Sequence, residues 1–399
     1  MKELKNIIQE KASEYFETTR KIRRNIHRNP ELSFQEEKTG KYITEILDEL
    51  EIPYTTGWAG HGVVAIIEGT KGSSEQTIML RADIDALPIL EKNETSYVSQ
   101  NKGIMHACGH DVHTASLLGA MYILNDIRDS FSGKIKCIFQ PGEEKLPGGA
   151  SIMIKEGVLK NPEPKIAIGQ HVHPPLEVGK VGIKPGMYMA SADEIRLTVK
   201  GKGGHAALPQ NCIDTVLMSA KILVALQEVV ARNCNPSIPS VLSFGKINSD
   251  GGATNVIPDV VKIEGTFRTM DEEWRSKAHE LIKRIAEKTA ESMGGKCEVD
   301  IMVGYPCLIN DIETTQKVKS SMIDYLGSEN VVDLPLRMTA EDFSYYSQNV
   351  NSCFYRLGTG NKEKGITSPV HTPTFDIDED ALITGSGLMA YLAITSLEG

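Results

Sequence analysis

The first half of the chain alternates short apolar runs with longer segments whose apolar positions recur at helical spacing. The four apolar runs have the length of β-strands and lie at residues 63–67, 77–82, 135–140 and 165–169. Strands that alternate with amphipathic helices are typical of a largely parallel β-sheet covered by helices. We therefore expect a mixed α/β fold in which ligands collect outside the carboxyl ends of the strands.

From about residue 187 the pattern changes to a different order of elements. Strands are indicated at residues 195–199, 241–247, 260–269 and 297–303, and helices at 213–232 and 272–293. The order βαββαβ predicts a compact α+β layer of the ferredoxin-like kind, inserted into the first domain. The predicted division is residues 1–186, an inserted domain at 187–304, and residues 305–399, which return to the first domain.

Composition and charge narrow the class of protein. The chain has 399 residues, enough for two domains, and its 40% of hydrophobic and 24% of charged residues are ordinary for a folded protein. The formal net charge of -10 argues against a nucleic-acid surface, because phosphate binding needs clustered lysine and arginine. We expect no nucleic-acid partner.

The same scan bears on the cellular compartment. No stretch predicts a membrane-spanning helix, and the first residues predict no signal peptide. Seven cysteines without a CxxC pair are too few for a disulfide scaffold of this size. We expect a cytoplasmic protein with no membrane partner.

Polar side chains follow three successive predicted strands. Asp83 and Asp85 come after the second apolar run, Glu143 and Glu144 after the third, and His171 after the fourth. The carboxyl ends of parallel strands meet at one rim of a sheet, so these side chains are expected to lie close together. Three such strand ends predict an active site with metal-binding or acid/base groups.

Residues 105–113, which precede an apolar helix, are the richest segment in potential metal ligands. Within eight residues the sequence offers His106, Cys108, His110, Asp111 and His113. These are the donor types that transition metals prefer. Two other interpretations remain open, a closed structural zinc site and a set of side chains that cap the helix and pair with one another in the core.

The adjacent pair Glu143 and Glu144 favours catalysis over a structural site. Two neighbouring carboxylates on a loop can point in different directions, so that one binds a metal ion while the other transfers protons. Taken alone, such a pair is more often part of a solvated loop. His371, between Val370 and Thr372 near two prolines, is by sequence alone only a weak candidate.

With these residues in place, the sequence resembles a family of metallo-amidohydrolases over nearly its full length. The family includes bacterial hippurate hydrolases, N-acyl-amino-acid amidohydrolases and plant auxin-conjugate hydrolases, within the two-metal aminoacylase and carboxypeptidase clan. The resemblance is carried by residues 27–32, 81–88, 105–113, 139–144, 148–150, 203–206, 254–258, 341–343 and 371–373. Together these segments are highly specific. The resemblance implies that 1–186 and 305–399 form the catalytic metal-binding domain.

The same resemblance implies two divalent metal ions that share Cys108 as a bridging ligand. One ion would also be bound by His110 and His171, and the other by Glu144 and His371. A bridging thiolate is a soft ligand, which favours zinc, manganese, nickel or cobalt over magnesium.

Glu143 would be the general base of the family's reaction. Asp83 would stand behind a ligand and orient it, in keeping with the rule that ligating imidazoles are held by outer carboxylates. The resemblance leaves His106, His113 and His173 without a role.

For the inserted domain the resemblance implies a lid and a dimerisation module, and hence a homodimer or a higher homo-oligomer. His205 would reach into the site of the neighbouring subunit and stabilise the oxyanion. Asn255 and Arg268 would bind the carboxylate of the substrate. From the residues alone, Arg268 is equally interpreted as half of a strand-end salt bridge, and Asn255 as a turn residue before Pro258.

The function that follows from the resemblance is hydrolysis of the amide bond of a small N-acyl amino acid, of the aminoacylase or hippurate-hydrolase type. An N-acetyl-diaminopimelate deacetylase and a dipeptidase or carboxypeptidase are alternatives of the same chemistry. A metal-binding scaffold without turnover and a hydrolase with Cys108 as nucleophile and His110 as base are alternatives of other classes. The acyl group and the amino acid stay open.

Overall fold

The computed structural model describes residues 2–398 and divides them into two compact units, each with its own apolar core. Unit 1 consists of residues 2–186, 309–336 and 342–398, and unit 2 of residues 187–308 and 337–341.

Residues 2–398 contain ten α-helices and sixteen β-strands. The helices are α1 (Lys2–Glu14), α2 (Phe16–Arg28), α3 (Glu37–Glu49), α4 (His110–Asp126), α5 (Gly149–Lys155), α6 (Thr215–Glu228), α7 (Glu272–Ser292), α8 (Ile312–Leu326), α9 (Ser344–Ser347) and α10 (Ala381–Glu398). The strands are β1 (Tyr54–Trp58), β2 (Gly62–Thr70), β3 (Thr77–Asp83), β4 (Ser132–Gln140), β5 (Ile166–Glu177), β6 (Val181–Ile183), β7 (Gly186–Met189), β8 (Asp193–Lys200), β9 (Gly204–His205), β10 (Ser240–Ser249), β11 (Val256–Ile257), β12 (Val260–Thr269), β13 (Lys296–Val303), β14 (Leu308–Asn310), β15 (Val331–Asp333) and β16 (Asn351–Gly360).

Unit 1 is built on an eight-stranded sheet with the order β1-β2-β4-β3-β5-β16-β6-β15. The central strands β4, β3, β5 and β16 are mutually parallel, whereas β1 and β2 add antiparallel pairs at one edge. All seven residues of β3 are buried, as expected of a strand that is covered on both faces. The expected mixed, largely parallel α/β fold is confirmed.

Two apolar helices, α4 and α10, form the middle of the helical layer of unit 1 and pack against each other. A helix that is apolar all round is a buried helix, and nearly every residue of α4 is buried. Gly119 permits the close approach, because a Cβ there would lie 2.3 Å from the Oγ of Ser386 on α10.

The helix α10 is long and apolar enough to cross a membrane by length and composition, although the sequence pattern had indicated no such span. It is the only helix of residues 2–398 that meets this criterion, and 72% of it is buried within the fold. Its contacts with α4, α1 and α8 account for its apolar character.

The strand β5 is longer than the apolar run predicts, and this changes the position of His171. The pattern indicated a strand that ends at residue 169, but β5 continues to Glu177. β16 pairs with it in parallel along this extension, and Arg356 lies opposite His171. His171 therefore lies inside a strand and does not follow one, because a strand from the C-terminal part of the chain supplies backbone hydrogen bonds that the local sequence pattern cannot reveal.

Unit 2 contains a four-stranded antiparallel sheet with the order β10-β12-β8-β13. The helices α6 and α7 cover one face of this sheet, onto which Ile195, Leu197 and Val199 of β8 are buried. Alternate residues of β8 are more exposed, which is the period-2 pattern of a strand with one buried face. The strand order and the succession βαββαβ are those of a ferredoxin-like layer.

The far boundary of unit 2 differs from the predicted end of the inserted domain at residue 304. Unit 2 continues to Leu308 and also includes the distant segment Arg337–Glu341. The reason is a backbone hydrogen bond in which the amide of Ala190 donates to the carbonyl of Arg337 at 3.1 Å. Contacts of this kind join segments that are far apart in sequence.

A buried carboxylate anchors the first residue of β8. Asp193 accepts two hydrogen bonds from Arg275 of α7, at 2.9 and 2.6 Å, and one from His279 at 2.7 Å. It also accepts the backbone amide of Gly304 at 3.1 Å. One side chain therefore ties a central strand of unit 2 to a helix and to the residue that follows β13.

We predict that Asp193→Ala strongly destabilises unit 2. The substitution removes the buried carboxylate that pairs with Nε and Nη2 of Arg275 and leaves Glu272 as its acidic partner. Breaking a buried ion pair typically costs about 3–5 kcal/mol. The neighbouring Glu194→Ala is the control, because Glu194 is exposed and, among residues 2–398, forms a salt bridge only with the exposed Arg196. It should change the free energy of unfolding by less than about 0.5 kcal/mol. Urea unfolding of both variants measures the difference, and equal midpoints would contradict the role of Asp193.

Candidate metal centre

The loop that leads into α4 determines where Cys108 and His110 lie. Gly109 has φ +80° immediately before the helix, and a Cβ there would lie 2.6 Å from a methyl carbon of Val172 on β5. Glycine meets both demands, since it adopts positive φ without strain and allows the close approach. Cys108 and the first residue of α4 are thus held against the part of β5 that contains His171.

Two groups of potential ligands meet at Cys108. The ligand atoms of Cys108, His110 and His171 all lie within 4.8 Å of one another, and so do those of Cys108, Glu144 and His371. The Sγ of Cys108 lies 3.5 Å from Nε2 of His171 and 3.2 Å from Nε2 of His371, which in turn lies 3.1 Å from Oε1 of Glu144. The structure brings all five predicted ligands together.

The tautomers of two histidines suit metal binding. Nδ1 of His110 donates to Oδ1 of Asp85 at 3.1 Å, and Nδ1 of His171 donates to the carbonyl of Val172 at 2.8 Å. In both rings Nδ1 is occupied by this hydrogen bond, so Nε2 is the nitrogen that is left to bind a metal ion. Among residues 2–398 the buried Nε2 of His110 has no hydrogen-bond partner, which is costly unless a cation takes that place.

Charge points to cations as well. Burial raises the pKa of the Cys108 thiol, and the charges of Glu144 and Glu143 raise it further. A thiolate at this position therefore needs nearby positive charge. Burial, together with Arg356, holds the pKa of His171 well below its usual value, so the ring is in the neutral form that binds metals. Thiolate, imidazole and carboxylate are ligands of zinc and related transition metals, and the donor set fits two divalent ions.

Asp85 links ligands that come from two different elements. Its Oδ1 accepts the hydrogen bond from Nδ1 of His110. Its Oδ2 accepts one from the backbone amide of Glu144 at 2.9 Å and one from the hydroxyl of Ser33 at 2.6 Å. Burial opposes its ionisation, but the hydrogen bond and charge of His110 outweigh burial and lower the pKa of Asp85. Sequence reasoning named Asp85 only as a polar strand-end residue and did not find this role.

Asp83, which the sequence places behind a ligand, makes no direct hydrogen bond to any of the five predicted ligands among residues 2–398. It pairs with Nδ1 of His113 at 2.5 Å and with Arg81 at 2.6 Å, and its distance to Nε2 of His110 is 3.6 Å. The reason is the strand, since Arg81 and Asp83 are two residues apart on one face of β3. His113 accepts the amide of Val172 at 2.9 Å, so Asp83 supports β5 beside His171.

Glu143 lies beside the ligands at the end of a tightly held loop. Its Oε2 is 3.9 Å from Nε2 of His110, and its Oε1 accepts the backbone amide of Asp342 at 3.4 Å. With His110 and Glu144 it also forms a third group of possible ligands. The adjacent carboxylates are therefore buried or half-buried beside the histidines and are not part of a solvated loop.

A buried network fixes this loop to β3. Arg81 donates to Asp342 at 2.7 Å and to the side-chain oxygen of Gln140 at 3.0 Å, and Gln140 donates to Asp342 at 2.7 Å. The amide of Ala150 donates to the same carboxylate at 3.0 Å. Burial raises the pKa of Asp342 to about 6 even with Arg81 beside it. Sequence reasoning quoted these residues as motif positions without a role.

Other members of the histidine-rich segment lie outside the ligand groups. Asp111 is buried and accepts hydrogen bonds from Arg23 and His27, each at 2.7 Å. His106 is buried, and burial lowers its pKa to about 4. For Asp111 the interpretation as a paired core residue is therefore correct, whereas Cys108 and His110 belong to the candidate site.

Of the predicted residues of the inserted domain, His205 and Arg268 lie on strands of unit 2, and Asn255 lies in the turn that precedes β11. His205 and Asn255 are exposed neighbours, because β9 pairs with β11 and the amide of Ala206 donates to the carbonyl of Asn255 at 2.9 Å. Arg268 lies on β12 and donates to the hydroxyl of Thr266 at 3.2 Å. Within residues 2–398 Arg268 has no acidic side chain in salt-bridge distance, which argues against the salt-bridge interpretation.

The sequence matches the family described as Peptidase family M20/M25/M40 over residues 79–395. It is 42% identical over 366 residues to the N-acetyl-L-cysteine deacetylase of Bacillus subtilis, covering 92% of this chain and 85% of that protein. It is 39% identical over 376 residues to thermostable carboxypeptidase 2 of Saccharolobus solfataricus, covering 94% of each. The resemblance inferred from the sequence motifs is confirmed.

A solved structure supports the metal content. The fold is similar to that of the Bacillus subtilis YXEP protein, described as a dinuclear metal binding peptidase of the M20 family, with a TM-score of 0.83 and 33% identity. The match covers 97% of this chain and 99% of that one. With the two ligand groups that share Cys108, this similarity supports two divalent ions.

We predict that metal-free protein takes up two zinc ions per chain and that Cys108→Ala lowers this number to one or none. The reason is that Cys108 belongs to both ligand groups, whereas each histidine or carboxylate ligand completes only one of them. Cys353→Ala is the control, since Cys353 is buried in the same unit outside these groups. Elemental analysis after dialysis measures the ratio; two ions in Cys108→Ala would contradict a shared sulfur.

Proposed function

The chain belongs to peptidase family M20/M25/M40, and we propose that within this family it hydrolyses the amide bond of small N-acyl amino acids. This family membership makes it a metal-dependent amidohydrolase. The observation that best supports the proposal is the position of Glu143, a carboxylate beside two ligand groups that share one sulfur. A closed structural metal site has no use for such a group.

We assign Cys108, His110 and His171 to one ion, and Cys108, Glu144 and His371 to the other. When bound, the two ions supply Lewis acidity, which lowers the pKa of a water molecule and polarises the amide carbonyl. Zinc, manganese, nickel and cobalt all suit a site that contains thiolate and imidazole.

Glu143 is the proposed general base. It accepts a proton from the attacking water and later transfers that proton to the leaving amine, so that the products are a carboxylic acid and an amino acid. Its Oε1 is oriented by the amide of Asp342, while Oε2 faces the ligand side. In this scheme Asp83 acts indirectly, because it holds His113 and thereby the backbone next to His171.

Three residues of the inserted domain complete the proposal. His205 stabilises the oxyanion as part of a homodimer or a higher homo-oligomer, and Asn255 and Arg268 bind the carboxylate of the amino-acid part of the substrate. His205 is exposed on β9, Asn255 is exposed in the turn before β11, and Arg268 has no acidic side chain in salt-bridge distance among residues 2–398; these observations are compatible with the proposed roles. Burial lowers the pKa of Arg268, and the charge of Asp193 offsets only part of this effect. A guanidinium nevertheless remains charged at neutral pH.

A peptidase activity is the second candidate, since one relative is named a carboxypeptidase and another a deacetylase. Both reactions use the same machinery and differ in the acyl side of the scissile bond. A screen with N-acetyl, N-benzoyl and longer N-acyl amino acids and with dipeptides separates them. Turnover of dipeptides without turnover of N-acyl amino acids would overturn the proposal in favour of a peptidase.

We predict that Glu143→Gln retains two metal ions and that its kcat falls by about 10²–10⁴-fold, which is the contribution expected of a general base. Glu144→Gln is the matched variant, because it removes a ligand and should lower the metal content as well as the rate. Metal analysis and initial rates on the same preparations distinguish the two carboxylates. A Glu143→Gln enzyme with wild-type kcat would exclude Glu143 as the base.

We also predict that Arg268→Ala raises KM for an N-acyl amino acid but not for the corresponding N-acyl amino-acid amide. The amide lacks the carboxylate that Arg268 is proposed to bind, so its KM should be insensitive to the change. Charge-assisted hydrogen bonds contribute about 1.5–3 kcal/mol, which corresponds to roughly 10–100-fold in KM. An equal rise for both substrates would assign Arg268 a structural role.

A further inference from the structure

Residues 33–36, which precede α3, contact the loop that contains Gly142, Glu143 and Glu144. Phe34 in this segment has φ +65°, which is uncommon for a bulky residue and costs about 1–3 kcal/mol. Such strained residues persist only where their surroundings hold them in place, and they cluster at functional sites. In the same segment the side chains of Ser33 and Glu36 are buried.

Glu36 makes the most direct contact with the loop. Its Oε1 accepts the backbone amide of Gly142 at 2.8 Å, and Gly142 directly precedes Glu143. The side chain of Glu36 is fully buried, and within residues 2–398 its second oxygen has no hydrogen-bond partner. A buried carboxyl oxygen without a partner costs free energy, which makes Glu36 a candidate for a role beyond packing.

The ring of Phe34 shapes the same loop from the other side. Gly142 has φ +66°, and a Cβ there would lie 2.4 Å from Cε1 of Phe34. Glycine is therefore required at this position both by its backbone conformation and by the close approach of the ring. The two contacts fix the conformation of the backbone at Gly142.

Ser33 adds a third connection. Its hydroxyl donates to Oδ2 of Asp85 at 2.6 Å, and the same oxygen accepts the amide of Glu144. Residues 33–36 thus hold the loop at Gly142 directly and at Glu144 through Asp85. Glu143 lies between these two points.

We propose that Glu36 is a positioning residue of amide hydrolysis, which sets the backbone at Gly142 and thereby places Glu143 as the base and Glu144 as a ligand. This inference rests on the proposed function for the role of Glu143, but not for the role of Glu144 in metal binding. A shift of about 1 Å at a base or ligand is enough to lower activity strongly.

The hydrogen bond that the Gly142 amide donates determines which substitution of Glu36 preserves the contact. Burial, and then the charge of Asp85, raise the pKa of Glu36 to about 7. The Gly142 amide needs only an acceptor oxygen, which a carboxylate, a carboxylic acid or an amide side chain provides equally. Gln at position 36 therefore preserves the contact, whereas Ala removes it and leaves the amide unpaired. Asp retains the acid but is one methylene too short to reach the amide.

Glu31 supplies a control at the other end of the same segment. Its carboxylate accepts the amide and the hydroxyl of Thr39 at 2.8 and 2.9 Å, so it stabilises the start of α3 by the same type of hydrogen bond. No hydrogen bond joins its side chain to the loop at Gly142 among residues 2–398. Glu31→Ala should lower the melting temperature without changing kcat.

The experiment compares Glu36→Ala, Glu36→Gln and Glu31→Ala for melting temperature, kcat and KM, and for zinc binding by calorimetric titration of metal-free protein. For Glu36→Ala we expect kcat to fall and one of the two ions to bind more weakly, each by about 10–100-fold, as is usual when a residue behind a ligand is lost. The other ion and KM should stay near wild type. Glu36→Gln should restore both quantities, and Glu36→Asp, the variant to use if the alanine variant does not fold, should reproduce the losses.

The proposal is overturned if Glu36→Ala or Glu36→Asp keeps wild-type kcat and zinc affinities, or if Glu31→Ala shows the same losses as Glu36→Ala. It is also overturned if Glu36→Gln is as impaired as Glu36→Ala. If the wild-type protein hydrolyses none of the amides, the proposed function fails. The zinc titration then still decides whether Glu36 positions Glu144.

Discussion

The sharing of one sulfur by two groups of ligands is the constraint on which the rest of unit 1 depends. Cys108 reaches this position because Gly109 adopts a positive φ and, having no Cβ, lets the chain approach Val172 of β5 closely. Ligands from a strand, a helix start and two loops then converge on the sulfur. Burial and neighbouring carboxylates raise the pKa of the thiol, so this arrangement of negative groups is favourable only with cations present.

Buried ionic pairs keep the ligands in place, and each connects elements that come from different parts of the chain. Asp85 joins α4 to the loop of Glu144, Asp83 joins β3 to His113, and Asp342 joins Arg81 to Gln140. Burying a charge is costly unless it is paired and hydrogen-bonded, and these groups meet that condition. Their contribution is best described as preorganisation of the site, because buried pairs are weak evidence for stability.

Unit 2 is stabilised differently. Its strands bury one face under two helices, and the buried Asp193 connects β8 to α7 and to Gly304. None of the possible metal-ligand groups among residues 2–398 lies wholly within unit 2, which exposes His205 on β9 and Asn255 in the turn before β11. The proposed function assigns the chemistry to unit 1 and substrate recognition to unit 2.

By itself the sequence determined what local patterns encode. The βαββαβ order, the strands before Asp83 and Glu143, and the donor set from Cys108 to His113 were all predictable, because periodicity and ligand spacing involve neighbours along the chain. Only the tertiary structure decided which distant segments meet. It brings His371 to Cys108 from 263 residues away and pairs β16 with β5 past His171. It also places Asp85, and not Asp83, against His110, and Glu36 against Gly142. These contacts depend on hydrogen bonds and packing between distant segments, which no local pattern specifies.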